Sequence, residues 1–384
     1  MSRVVQNLNP GEFIRNFWQK SPCLMRNAFV GLHSPVSPEE LAGLACEEQV
    51  HSRLIQEKGG TAPWQLRYGP FEESDFTSLP SSHYTLLVSE CEKWIPEIAE
   101  LQSLFGFIPR WRHDDVMISY APRGGSVGAH VDEYDVFLIQ LEGQRRWQYS
   151  DKRLSDPRLL PDLDLAILES FKPDHDEVLK PGDMLYLPPG VPHYGVAVDN
   201  CMTCSIGFRA PSATETLESF AQEIDSRDLG SHRYSDSSLE IDRRSGEITT
   251  TEIQRFRELV IELIDKPDDI WIDAIAKLLT DTVAGETAPA GSVNDIDDLL
   301  ANVWVADTES RFLYYRDGSN IRFYANCQLT LLKNTADAVE FVQYLCDGYQ
   351  IDSTVVKNYA KQVELIALLI SLINNGMIVP LTDV

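Results

Sequence analysis

The sequence of 384 residues lacks the features that mark several large classes of protein. No stretch approaches the roughly 20 consecutive apolar residues that a membrane-spanning helix requires, so we expect no membrane domain. The opening residues contain no apolar run, so we also expect no signal peptide. The seven cysteines are scattered and odd in number, which fits reduced thiols in the cytoplasm and argues against a disulfide framework.

Basic residues are also scarce. Only 33 Lys and Arg stand against 59 Asp and Glu, so the formal net charge is −26. Such a field repels nucleic acid and attracts basic partners. The charge by itself leaves open whether the acidity recruits a basic macromolecule or only keeps the protein soluble.

The first half of the chain contains two zones. Residues 1–110 mix short helical patterns with loops. Residues 111–211 contain short runs rich in β-branched and aromatic residues, separated by Gly and Pro turns. Many short strands with such turns favour a barrel or a sandwich. The runs are VMISYA (116–121), YDVFLIQLEG (134–143), QRRWQYS (144–150), DMLYLP (183–188), YGVAV (194–198) and MTCSIGF (202–208).

The hydrophobic period changes to that of a helix at Ser212, which begins a capping box with Glu215. A second apolar helix face runs over 253–264 and is ended by Pro267, and a third covers 271–279. These amphipathic helices must bury their apolar faces, either on the barrel or on a second copy of the chain. A linker of small and polar residues begins at residue 282.

Residues 298–384 form a C-terminal unit whose order of elements suits a winged helix. Two strand-like runs flank a turn at Asp317-Gly318, helices follow, and MIVPL is a final strand. The unit contains six Lys and Arg but ten Asp and Glu. Because a DNA-binding winged helix is basic, we interpret this unit as a structural or protein-interaction module.

Two histidines and one aspartate carry the strongest chemical signal. His130-Val131-Asp132 follows the glycine-rich segment 124–128, and His193 comes about sixty residues later, within the proline-rich PPGVPHYGV. If His130 and Asp132 lie on a strand, their side chains share one face. Two imidazoles and a carboxylate suit a facial triad that holds non-haem Fe(II) and leaves positions open for a co-substrate and O₂. This pattern predicts an oxygenase.

The pair Arg145-Arg146 is the next informative feature. A guanidinium inside a barrel needs an anionic partner, and a dicarboxylate co-substrate would supply one by bidentate pairing. The alternative is an exposed arginine pair on an edge strand. Spacing alone does not choose between these interpretations, nor between the two arginines.

The motifs GSVGAHVDEYDVFLIQLEGQRRWQ, LKPGDMLYLPPGVPHYGVAV and SIGFRAP, with FIRNFWQKSPCLMRNAF near the start, resemble the JmjC oxygenases. Among these the chain is similar to the bacterial ribosomal oxygenases, which hydroxylate C3 of an arginine in large-subunit ribosomal protein sixteen. The resemblance implies an α+β fold built on a double-stranded β-helix. It implies four segments: a JmjC catalytic domain (1–211), a helical dimerisation region (212–281), a linker (282–297) and a winged helix (298–384).

The resemblance also implies roles for nine residues. Fe(II) would bind His130, Asp132 and His193. The C5 carboxylate of 2-oxoglutarate would bind Arg145 rather than Arg146, with polar contacts from Ser119 and Thr203. The pocket for a substrate arginine would be lined by Asp115, Tyr134 and Ser205. These last three also have plain structural interpretations, as a turn residue, a core ring and a small residue that fills a barrel.

The implied protein is a cytoplasmic homodimer that acts on a basic ribosomal protein and binds neither DNA nor membrane. Two alternatives stay open. One is a JmjC hydroxylase acting on another protein side chain or on a tRNA base, although the negative charge counts against RNA. The other is a non-catalytic cupin-like binding module, which would not need the metal ligands and Arg145 together.

Overall fold

The computed structural model describes residues 5–381 except 7, 59–63, 238–245, 266 and 283–291. The chain divides into two compact units, Met1–Ala210 and Pro211–Val384, and both contain helices and antiparallel sheets. Within the described ranges, every helix is too short or too polar to cross a membrane.

The first unit consists mainly of strands. All six runs expected between 111 and 211 form strands, and one further strand, β8, was not expected. The elements are α1 (Pro10–Asn16), β1 (Cys23–Met25), α2 (Pro38–Leu44), β2 (Ser52–Glu57), β3 (Trp64–Tyr68), α3 (Glu73–Thr77), β4 (Tyr84–Val88), α4 (Pro96–Ser103), β5 (His113–Ala121), β6 (Asp135–Glu142), β7 (Arg145–Tyr149), β8 (His175–Leu179), β9 (Met184–Leu187), β10 (His193–Ala197) and β11 (Cys201–Phe208).

The expectation that residues 1–110 hold only helices and loops is wrong. Four strands, β1 to β4, lie there, and they extend the sheet of the second zone at both edges. Strand β4 pairs with β5, where Leu87 lies opposite Ser119, and β2 and β3 follow outside it. These strands depend on partners distant in sequence, so the local pattern did not reveal them.

Two sheets enclose the inner cavity of this unit. The larger has the order β1-β9-β6-β11-β5-β4-β2-β3, and the smaller has the order β10-β7-β8. Strand β6 is buried on both faces, with Phe137 and Ile139 in the outer core and Val136 and Leu138 on the side of the smaller sheet. This double burial explains why its sequence is a continuous apolar run rather than an alternation.

The outer face of the larger sheet packs on the N-terminal helices through aromatic rings. The ring centroid of Phe13 on α1 lies 4.9 Å from that of Tyr186 and 5.3 Å from that of Phe137. Phe105 and Phe208 extend this cluster. This packing on the outer face makes the larger sheet rigid, so that its inner face can position side chains accurately.

The second unit contains the remaining elements. They are α5 (Ala213–Ser226), α6 (Thr250–Ile264), α7 (Asp268–Thr280), α8 (Ile296–Leu300), β12 (Trp304–Ala306), β13 (Phe312–Asp317), β14 (Asn320–Ala325), β15 (Gln328–Lys333), α9 (Ala336–Asp347), α10 (Ser353–Tyr359), α11 (Val363–Asn374) and β16 (Ile378–Pro380). The capping box from Ser212 to Glu215 is confirmed, as is the hairpin between β13 and β14, whose turn residue Gly318 has φ +52°.

Helices α5 and α7 bury Phe220 against Trp271, whose rings stack at 3.9 Å. Helix α6 has no buried residue. Most of the expected linker, 283–291, lies outside the described residues, and α8 begins at Ile296, inside the segment assigned to the linker. The winged-helix and dimerisation assignments stay predictions.

Candidate functional site

His130, Asp132 and His193 meet in the first unit. One possible ligand atom from each lies within 4.8 Å of the others, and they form the only group of this kind among the described residues. His193 begins β10, but His130 lies outside any strand, in an isolated bridge to His193. The assumption that His130 and Asp132 share a strand face is therefore wrong. Reciprocal backbone hydrogen bonds of 3.0 and 2.9 Å between the two histidines bring the side chains together instead.

Both imidazoles are oriented by backbone carbonyls. The Nδ1 atom of His130 lies 3.0 Å from the carbonyl oxygen of Gly128, and the Nδ1 atom of His193 lies 3.0 Å from that of Val191. A neutral ring that donates from Nδ1 keeps its lone pair on Nε2. The two Nε2 atoms face Asp132, at 3.8 Å from Oδ1 for His130 and 3.5 Å from Oδ2 for His193.

The electrostatics of the cluster favour a cation. Burial, reinforced by the neighbouring His130, lowers the pKa of His193 to about 4, so this imidazole is neutral at physiological pH. Two neutral imidazole nitrogens and one carboxylate oxygen are the donor set of the facial triad that holds non-haem Fe(II). Carbonyl groups that fix the far nitrogen of each ligand are the usual second layer of such sites. The residues present therefore fit this metal.

A cavity of about 260 Å³ adjoins the three side chains, with walls from both sheets. The nine residues expected in the site all line it, and they come from β5, β7, β10, β11 and the segment before β6. They are Asp115, Ser119, His130, Asp132, Tyr134, Arg145, His193, Thr203 and Ser205.

Arg145 projects into this cavity from β7, and no carboxylate in the described part of the chain pairs with it. It is 3% exposed, its Nη2 donates to the carbonyl of Gly195 at 3.3 Å, and its Nε has no hydrogen-bond partner. None of the ion pairs within the described ranges involves it. A buried guanidinium of this kind needs an anion, and a dicarboxylate co-substrate fits the requirement.

Arg146 lies on the opposite face of β7, exposed and paired with Asp176. The choice that spacing left open is thus decided by burial. Gly195 on β10 makes room for Arg145, because a Cβ there would lie 2.7 Å from Nε of the arginine and 2.7 Å from the ring of Trp147. The guanidinium carbon lies 5.2 Å from the centre of that ring, which holds the side chain from the other side.

Ser119 and Thr203 lie opposite each other on β5 and β11 and are buried. The Ser119 hydroxyl donates to the carbonyl of Thr203 at 3.4 Å, and the Thr203 hydroxyl donates to Gln140 at 3.2 Å. Their positions at the cavity wall suit polar contacts to a bound co-substrate.

Asp115, Tyr134 and Ser205 form another part of the wall. Burial, reinforced by the negative charges of Asp114 and Glu90, raises the pKa of Asp115 to about 6. Tyr134 lies outside the strands and immediately precedes β6. A half-buried carboxylate beside an aromatic ring is suited to bind a cation such as a guanidinium.

Part of the site was not predicted from the sequence. The segment 150–174 between β7 and β8 lines the cavity through Leu165, Ala166 and Ile167, and its Leu168 amide donates to the carbonyl of Ala129 at 2.7 Å. Ile167 packs over Gly128, whose φ of +84° and lack of a side chain permit the contact. This segment has no regular pattern, so nothing local indicated its role.

Two more residues of the cavity were not predicted, and only the first of them carries a recognisable signal. Trp147 follows Arg145 by two residues on β7 and therefore shares its face. Arg53 lies on β2, in the zone where strands were not expected.

Comparison with known proteins gives consistent results. The family model described as the JmjC domain matches residues 100–216. The Escherichia coli (strain K12) ribosomal protein uL16 3-hydroxylase is 41% identical over 261 residues, which are 68% of this chain and 69% of that protein. A probable ribosomal oxygenase of Haemophilus influenzae is 31% identical over 373 residues, covering 94% of this chain and 91% of its own length.

Among solved structures, the E. coli ribosomal oxygenase YcfD in complex with cobalt and 2-oxoglutarate matches this chain with a TM-score of 0.82. The two are 32% identical, and the match covers 99% of this chain and 100% of the other. A structure of the same protein with cobalt and succinic acid matches with a TM-score of 0.81.

Proposed function

The chain belongs to the JmjC-domain ribosomal oxygenases, and from that membership we propose that it hydroxylates C3 of an arginine side chain in ribosomal protein uL16. It is a 2-oxoglutarate-dependent oxygenase that uses Fe(II), and the interpretation as a non-catalytic binding module is not retained. The observation that supports the proposed substrate is the cavity, where the metal cluster meets Arg145 and Asp115, neither of which forms an ion pair among the described residues.

We assign the binding of Fe(II) to His130, Asp132 and His193, and that of the 2-oxoglutarate C5 carboxylate to Arg145. The chemistry that iron and co-substrate supply, once bound, is decarboxylation of 2-oxoglutarate to succinate and CO₂, coupled to insertion of one oxygen atom from O₂ into a C–H bond. The protein contributes positioning. Arg145 orients the co-substrate through its C5 carboxylate. Ser119 and Thr203 donate or accept hydrogen bonds along the cavity wall between Arg145 and the metal ligands.

The remaining side chains of the cavity would bind and position the target arginine. The carboxylate of Asp115 would pair with the guanidinium of the target arginine, and the ring of Tyr134 would cover that guanidinium. The Ser205 hydroxyl would accept a hydrogen bond from one of the guanidinium N–H groups. The aliphatic part of the side chain, including C3, would then lie towards the triad. Leu165 and Ile167 of the segment 150–174 keep that part of the cavity apolar and exclude water from it.

The test uses purified protein with Fe(II), 2-oxoglutarate, O₂ and recombinant uL16. We expect succinate to form and one arginine peptide of uL16 to gain the mass of one oxygen atom. The Asp132→Ala variant, which lacks the only carboxylate of the triad, should leave the peptide unchanged. If uL16 stays unmodified with the wild-type protein, or is oxidised equally by the variant, the proposed function is wrong.

We also propose that two copies of the chain associate through α6. Ile253, Phe256, Val260 and Ile261 lie on one face of this helix and are 45–53% exposed. An apolar face of this extent on one helix favours a partner that is equally apolar, and a second copy presents the same face. Because the proposed substrate is a ribosomal protein, we place the reaction in the cytoplasm, where the acidic charge would attract that basic partner.

A further inference from the structure

The cavity contains a second guanidinium to which the proposed reaction gives no role. Arg53 on β2 and Arg145 are the two Lys or Arg side chains among the described residues that line the cavity. Arg53 is half-buried, and its Nη2 lies 4.0 Å from the sulfur of Met117. Unlike Arg26, Arg67 or Arg112 in the same unit, it takes part in none of the ion pairs among the described residues.

The strand register shows where Arg53 stands. A single row crosses four strands of the larger sheet, and all of its members line the cavity; the row consists of Thr203, Ser119, Leu87 and Arg53. Because adjacent strands are 4.7–4.9 Å apart, the backbone of Arg53 lies about 10 Å from that of Ser119. Arg53 is therefore at the end of the row away from the proposed co-substrate contacts.

Arg53 is also close to the proposed arginine pocket. Met117, which it touches, lies between Asp115 and Ser119 on the inner face of β5. Burial raises the pKa of Tyr134, and the positive charge of Arg53 opposes that rise. A substrate guanidinium held by Asp115 would be repelled by Arg53, so Arg53 must meet a different, electron-rich part of the substrate.

The main chain next to the target arginine offers such a group at every residue. A carbonyl oxygen accepts hydrogen bonds, and a guanidinium presents five N–H donors in a planar fork. A side-chain carboxylate of the substrate is the alternative acceptor. The guanidinium of Arg53 is at the cavity wall, because its Nη2 lies 4.0 Å from the sulfur of Met117 and both residues line the cavity.

We propose that Arg53 is a specificity-determining binding residue that donates hydrogen bonds to main-chain carbonyl oxygens of the substrate beside the target arginine. This inference rests on the proposed function. It explains how a cavity lined by the buried Arg145 and the half-buried Arg53 accepts a cationic side chain. The co-substrate neutralises the guanidinium of Arg145, and the guanidinium of Arg53 binds the main chain of the peptide.

The test compares Arg53→Gln with Arg67→Gln. Arg67 lies on the neighbouring strand β3, does not line the cavity and pairs with Asp75, so its loss changes the net charge equally. For Arg53→Gln we expect the KM for uL16 to rise roughly tenfold, as the loss of a hydrogen bond from a charged group predicts, with kcat and the KM for 2-oxoglutarate unchanged. Arg67→Gln should match the wild type in kcat and in the KM values for uL16 and for 2-oxoglutarate.

A binding measurement separates this inference from the proposed function. Labelled uL16 is titrated into wild type and Arg53→Gln loaded with Fe(II) and 2-oxoglutarate under anaerobic conditions, with fluorescence anisotropy as the readout. A loss of affinity in Arg53→Gln that is similar to the rise in its KM for uL16 supports the proposal. Equal affinity, while the wild type hydroxylates uL16 in air, overturns the role of Arg53 alone. Absence of binding to either protein overturns both proposals.

A second peptide identifies the acceptor. In a uL16 segment around the target arginine, every Asp and Glu is replaced by its amide. If Arg53 binds main-chain carbonyls, the penalty of Arg53→Gln is the same for the native and the amide peptide. If the penalty disappears with the amide peptide, a substrate carboxylate is the ligand and the carbonyl assignment is wrong.

Discussion

At the scale of single residues, burial separates side chains that look equivalent in the sequence. Arg145 and Arg146 are neighbours, yet one is 3% exposed and lacks a carboxylate while the other forms an exposed ion pair with Asp176. Asp114 and Asp115 are also neighbours that differ in their surroundings, since only Asp115 lines the cavity. An isolated charge that a protein keeps in its interior marks a place for a charged ligand.

Arg145→Lys tests the role of the buried guanidinium. The variant keeps the positive charge but loses the planar fork that matches a carboxylate, so we expect the KM for 2-oxoglutarate to rise roughly tenfold or more. Succinate formation over a range of 2-oxoglutarate concentrations measures it. Arg146→Lys is the matched control and should behave as the wild type; an equal effect of both substitutions would contradict the assignment.

Asp115 makes substrate binding depend on pH. Its carboxyl has a pKa of about 6 before substrate binds, and only the charged form pairs with a guanidinium. The KM for uL16 should therefore fall as the pH rises through about 6, by up to roughly tenfold per unit below that value. Burial is the main cause of this raised pKa, and the charges of Asp114 and Glu90 that reinforce it stay in place in Asp115→Asn.

In Asp115→Asn the KM for uL16 should be higher than in the wild type and lose this pH dependence. The KM for 2-oxoglutarate, measured in the same series, controls for effects on the rest of the site. A variant with the same pH profile as the wild type would show that another group titrates.

At the scale of elements, single contacts between strands and helices set the geometry of both units. The reciprocal hydrogen bonds of His130 and His193 join a loop to the start of β10 and so create the metal cluster. In the second unit, Asp273 on α7 is 5% exposed and accepts hydrogen bonds from Arg227, directly after α5, and from Arg322 and Tyr324 on β14. One carboxylate thus connects two helices and a sheet.

Asp273→Ala should lower the free energy of unfolding by about 3 kcal/mol, because partly buried donors of Arg227, Arg322 and Tyr324 lose this acceptor. Guanidinium denaturation followed by circular dichroism measures the change. Asp269→Ala removes an ion pair of Arg227 from a carboxylate that is 41% exposed, and should cost less than about 1 kcal/mol. Similar losses for the two variants would argue against Asp273 as the central contact.

At the scale of the whole molecule, the charge of −26 and the apolar face of α6 concern partners rather than the fold. Acidity distributed over the surface speeds the approach of a basic substrate without specifying where it binds. The face of α6 is local and apolar, which suits a permanent contact. The two features therefore support different partners, a ribosomal protein and a second copy of the chain.

Phe256→Asp should convert a dimer into a monomer, because it places a charge in the middle of the α6 face. Light scattering after size-exclusion chromatography at micromolar concentration measures the mass. Gln254→Asp adds the same charge to the same helix, at a position that bonds to Glu258 outside that face, and should leave the dimer intact. A wild-type monomer at this concentration would refute the dimer.

The sequence by itself determined the local features of this protein. Strand runs, turns at Gly143 and Gly318, the capping box at Ser212 and the types of the metal ligands follow from the order of residues, because they depend on near neighbours. The prediction that His130 lies on a strand was wrong, since its position comes from a bridge to His193, which is 63 positions later in the sequence.

Only the tertiary structure decided which charges are buried. It set Arg145 apart from Arg146, brought Arg53 into the cavity through three strand pairings, and placed the segment 150–174 over the metal ligands. It also left the apolar face of α6 exposed. The physical reason is the same in each case: burial and charge pairing depend on contacts between distant parts of the chain, which no local period encodes.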